Sequence, residues 1–185
     1  MPIRRLGLLT LALLAMLAPL CTGVRAADDA NTYNDPAMSF TPPAGFRRVP
    51  IPPHDPRTFE QKSVVAVYVK NPGTQDATAI TLTMDNFEGT AAAFAMTSDN
   101  DTRSSADGAF IKRSDAKLSN GMPAVWEEVT VGSGFAQVSS FRYLWADGVR
   151  GVTLAETSRY GNVDDRHARA DLANVSAVAY PRYRY

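Results

Sequence analysis

The chain has 185 residues, 45% hydrophobic and 21% charged, with 19 basic and 19 acidic side chains and one cysteine. This is the composition of an ordinary folded protein rather than a disordered, collagen-like or multi-span membrane chain. Balanced charge argues against a dedicated nucleic-acid binder, which would show a basic excess, and a lone Cys excludes an internal disulfide, a Cys-based zinc site and a CxxC redox pair.

Residues 1–26 have the form of a secretory signal peptide. Arg4 and Arg5 provide a positive start, Leu6 to Leu20 is an apolar run, and Val24-Arg25-Ala26 supplies short residues before a cut. As a helix, that run spans roughly 22 Å at 1.5 Å per residue. The hydrocarbon core is about 30 Å thick, so no stable membrane span is expected once the signal is removed. Cys21 follows Leu20 where a lipidation site wants a small residue, so it is not read as a lipid anchor. Cleavage after Ala26 takes three of the 19 basic residues and the only Cys. The remainder, 185 less 26, is 159 residues with a net charge of −3 and no thiol. Such a chain, periplasmic or extracellular, must fold on a full hydrophobic core without disulfides.

Residues 27–37 are polar without an apolar period and are expected to form a flexible N-terminal arm. Residues 38–185 are expected to be one domain. Met38-Ser39-Phe40 is extended and stops at Pro42-Pro43. Six prolines between Pro42 and Pro56 exclude helix, leaving a stiff loop from which Phe46, Val49 and Ile51 reach the core. Val64 to Lys70 is a dense β-branched run, hence a central strand. Ala77 to Phe87 alternates and pairs with it across Asn71-Pro72-Gly73. Ala91 to Met96 predicts a short helix capped by Thr90 and ended by Ser98-Asp99-Asn100-Asp101.

Three hairpin signals follow: Asn120-Gly121, Gly132-Ser133-Gly134 and Asp147-Gly148. They separate four strands, Phe110–Ser119, Met122–Val131, Phe135–Trp145 and Val149–Arg159, in an antiparallel meander. A second helix is expected over Asn162–Val178, with Ala168, Leu172 and Val175 on one stripe and Pro181 beyond it. The fold class is therefore α+β: an antiparallel sheet of about six strands with helices packed on it, an α/β/α sandwich.

Chemistry-bearing groups are sparse. His54 sits in the Pro loop. His167 lies one turn from Asp164, which reads as a solvated helix face rather than a metal site. Ser133 is flanked by glycines but followed by a strand, so it belongs to a hairpin and not to a nucleophile elbow. Glu127 and Glu128 are adjacent on a strand and face opposite ways, so they form no acid–base dyad. The one on a covered face calls for a cation such as Arg142 on the next strand. Trp126, Glu128, Trp145 and Phe94 are the candidate ligand-binding residues, in a pocket between sheet and first helix that Met96 would also line. No GxGxxG or P-loop occurs, and no metal or other cofactor is expected. The basic, aromatic tail Tyr180 to Tyr185 reads as an added edge strand or a loose end.

The succession resembles the Mog/PsbP-like fold, in its small exported bacterial form. The resemblance is carried by Met38-Ser39-Phe40-Thr41-Pro42-Pro43-Ala44-Gly45-Phe46, by Asn120-Gly121-Met122-Pro123-Ala124, by Tyr143-Leu144-Trp145-Ala146-Asp147-Gly148 with the strand after it, and by the closing Tyr180-Pro181. It covers about residues 38 to 181. It implies an antiparallel sheet between helical layers and a non-enzymatic, accessory or protein-binding role in the cell envelope. A small-ligand or lipid-binding module is the competing expectation. No family functional residue maps onto this chain.

Overall fold

The computed structural model describes residues 31–51, 63–106, 108–159 and 161–180. The signal segment with Cys21, His54 and the tail beyond Tyr180 lie outside the described residues. Elements run in the order β1 (Tyr33–Asp35), β2 (Met38–Phe40), β3 (Arg47–Arg48), β4 (Ser63–Lys70), β5 (Thr78–Asn86), α1 (Ala91–Ser105), β6 (Phe110–Lys117), β7 (Pro123–Val131), β8 (Val138–Ala146), β9 (Arg150–Arg159), α2 (Asp165–Asp171) and β10 (Val175–Ala177).

The fold is α+β. A seven-stranded antiparallel sheet has the order β3-β4-β5-β9-β8-β7-β6, and a three-stranded sheet the order β1-β2-β10. The large sheet thus has one more strand than expected, because Arg47–Arg48 leaves the Pro loop to pair with Tyr68 and Val69. The β6–β9 meander forms as its turns predict. Gly148, with φ +100°, adopts the left-handed backbone that the β8–β9 turn requires. From β9 the chain pairs back onto β5, from Thr78↔Ser158 to Asn86↔Arg150, which leaves β6 and β3 as the two outer strands.

Alternation in the strands separates two faces. One carries Trp126, Phe141, Tyr143, Trp145, Leu154, Leu82 and Tyr68, buried against Phe40, Leu172 and Val175 from the small sheet and α2. The other carries Val125 and Leu144 under Phe94 and Ala95 of α1. At the β4 end this second face carries Val67, Val69 and Ala79, covered by Val49 and Ile51 of the Pro loop.

Three local expectations are corrected. The arm is structured from Tyr33. Asp35 Oδ1 accepts from the amides of Ala37 (2.7 Å) and Met38 (2.9 Å), making the turn that pairs β1 with β2. Arg150 then ties Asp35 to the sheet at 2.8 Å. Helix α1 continues to Ser105, since the hydroxyls of Thr102 and Ser104 donate to carbonyls one turn back rather than breaking the helix. The second helix does not run over Asn162–Val178. It is capped by Asp164, spans seven residues and gives way to β10, which pairs with β2 from Val175↔Phe40 to Ala177↔Met38. The vacant edge of β2 outweighs helix propensity there, and Val175 reaches the core from a strand.

Candidate functional site

Helix α1 rests on β7 and β8, so β6 lies beyond its cover. Six of the eight β6 residues are exposed, among them Phe110 at 61%. Its inner side is fully registered with β7, from Phe110↔Thr130 to Lys117↔Pro123. Among the described residues, no strand pairs with its outer side. The opposite edge, β3, is only two residues long. Its Arg48 amide donates to the Asn31 side chain at 3.0 Å, and the Arg48 guanidinium stands over the Tyr33 ring.

A charge network stands behind β6. Glu127, 0% exposed, accepts from Arg142 Nε at 2.7 Å and from Arg113 Nε at 3.0 Å. Asp99 of α1 bonds Arg113 and lies 3.6 Å from Arg142. Burial pushes the Glu127 carboxyl up, Arg142 draws it back, and Asp99 adds to the rise. Two cations matched by two acids let a carboxylate lie inside the sheet. They also fasten β6, through Arg113, to both β7 and α1. The pairing of one glutamate with Arg142 is as the sequence predicts. Glu128, on the other face, is near Lys112 at 4.0 Å, with the Lys112 side chain 73% exposed.

The remaining predicted ligand residues do not converge. Phe94 lies on the opposite face from Trp126 and Trp145, so the expected pocket does not form. Gly151 makes room for the ring there: a β-carbon would stand 2.2 Å from the Phe94 ring that seats α1. Met96 points outward, 61% exposed. Trp126 is a structural clamp: its indole donates to Asp165 at 2.7 Å, and the Arg169 guanidinium stacks 4.3 Å from its ring. Trp145 is fully buried, and its indole nitrogen has no hydrogen-bond partner. His167 is exposed, 2.8 Å from Asp164. The His167 amide and ring hold the Asp164 carboxyl below the usual range. Ser133 lies in the β7–β8 connection before a single 3-10 turn. Among the described residues no three His, Cys, Asp or Glu side chains come together as a metal site.

The sequence reading missed Glu156. It faces the main core, 1% exposed, and its Oε2 and the neighbouring Ser158 hydroxyl have no hydrogen-bond partner. Burial and the Asp171 carboxyl push it up to about 8, with Lys70 pulling the other way. A carboxyl in the otherwise uncharged middle of β9, Val152 to Ser158, is the available signal. Nearby, a cleft of about 230 Å³ opens between the β6–β7 turn and the α2–β10 link, lined by Leu118, Ser119, Tyr143, Leu172 and Val175. No helix among the described residues is long and apolar enough to cross a membrane.

No protein-family model matches the chain, and no curated protein does. A crystal structure from Bacteroides thetaiotaomicron VPI-5482 is similar, with 11% identity and a TM-score of 0.48 over 80% of this chain. The present chain spans about half of that one, 48% of its length.

Proposed function

We propose that this chain is an exported, non-enzymatic accessory domain of the cell envelope that binds another protein by adding the partner's strand to β6. The observation that carries this reading is the eight-residue outer strand, exposed on both faces and held in register by the Arg113–Glu127–Arg142–Asp99 network. An unpaired strand edge offers a row of amide and carbonyl groups, and side chains on alternate faces supply selectivity. Export follows from the signal segment. The Mog/PsbP-like assignment is part of the same proposal, with α1 as one outer layer and α2 with the small sheet as the other.

Affinity capture from the source cell envelope, followed by cross-linking from Lys112 and Lys117, tests it. Cross-links from both lysines to one recurrent partner are expected. A recurrent partner cross-linked only elsewhere on the surface contradicts strand addition.

A second reading, a small-ligand or lipid module, rests on the cleft at Tyr143 and Leu172. Ligand-induced shifts confined to Leu118, Tyr143 and Val175 would favour it over the first.

A further inference from the structure

The charges along β6 specify the segment it would receive. Directly opposed residues in a ladder share a face and sit close enough for charge to matter. On the face toward α1, β6 presents Arg113, Asp115 and Lys117; on the other, Phe110, Lys112 and Ser114. The acids behind the strand are committed: Glu127 is buried between two arginines, and Asp99 is drawn in beside them. Glu128 meets Lys112 only at 4.0 Å. What an arriving strand meets first is therefore Lys112 and Lys117, with Asp115 between them.

This pattern also disfavours a second copy of the chain as occupant. With Arg113 committed to Glu127 and Asp99, two β6 strands would bring two cations and one acid each, a net +1 against a net +1.

We infer that the occupant of the β6 edge is an extended segment of a partner protein with two acidic residues five positions apart, one opposite Lys112 and one opposite Lys117. The spacing is 117 less 112. An odd spacing sends the two acids to opposite faces, as the two lysines are. The residue opposite Asp115 is uncharged or basic, and an apolar residue two beyond the Lys112-facing acid covers Phe110. This inference rests on the strand-addition reading and supplies its chemistry.

The test uses the exported chain, isotope-labelled, and three synthetic peptides of Thr and Val. One has Glu at two positions five apart, one has Gln there, and one has Lys. The Glu peptide should shift the amides of Phe110 to Lys117 and bind about tenfold tighter than the Gln peptide, the advantage shrinking with salt. The Lys112→Glu/Lys117→Glu chain, altered only at exposed positions, should reverse the preference toward the Lys peptide. Equal binding of Glu and Gln peptides at β6 would overturn the acidic signature while leaving strand addition standing. Shifts confined to other elements, or none at all, would overturn both.

Discussion

The seven-stranded sheet buries one glutamate beside its β6 edge and another on its central strand, β9, in opposite ways. At the β6 end Glu127 lies between Arg142 and Arg113, with Asp99 closing the set. On β9, Glu156 has another carboxyl, Asp171, as its close acidic neighbour, and remains protonated to about pH 8. A carboxyl leaves water only with a cation or with a proton. The paired glutamate lies where an outer strand has to be held. The β6 end keeps a long exposed strand in register, and charge pairs reach across strands to do so. The other end finishes in the two-residue β3, braced by Asn31 and Tyr33.

The largest effect should come from removing the charge solution. Glu127→Ala leaves Arg142 buried without its carboxylate and should cost about 3–5 kcal/mol in urea unfolding. Amide exchange should accelerate first in β6 and α1. A loss under about 1 kcal/mol would mean that the network does not hold that end.

The proton solution is tested by pH. The folded value of Glu156, about 8, is above its ordinary 4.5. Its contribution is therefore complete below about pH 4.5 and is lost as pH rises through 8, at about 1.4 kcal/mol per pH unit. Glu156→Gln should flatten this slope and be the more stable chain at pH 9. An unchanged slope in the variant would assign the pH dependence to other groups.

Gly151→Ala should cost about 1–3 kcal/mol by forcing the Phe94 ring out of its seat. Calorimetry reads the loss, and retention of wild-type stability would show that α1 is seated by something else. Thr90 accepts from the Ala93 amide at 3.2 Å, so Thr90→Ala should cost about 1 kcal/mol, with β3 and β4 exchange unchanged.

Much of this sheet was readable because its punctuation is local. The three Gly-containing turns mark the meander, and strand parity alone separated Glu127 from Glu128 and pointed to Arg142. Local misreadings, such as the stop expected at Ser98-Asp99-Asn100-Asp101 in α1, moved element ends; the failures at the site are long-range. The room for the Phe94 ring is made by Gly151, some sixty residues away, and nothing local separates Phe94 from Trp126 and Trp145 across the sheet. The stripe Ala168, Leu172, Val175 fits a helix, but β2 offered Val175 a ladder instead. That β6 is an outer strand follows from β9 returning to β5, which no local pattern announces. The raised Glu156 depends on Asp171 arriving from α2.

The most direct measurement of the central claim is amide hydrogen exchange of the whole chain, alone and bound to a protein captured as proposed above. The account predicts that protection is gained along Phe110–Lys117 and not at Arg47–Arg48. Protection gained instead around Tyr143, Leu172 and Val175, with β6 unchanged, would contradict it.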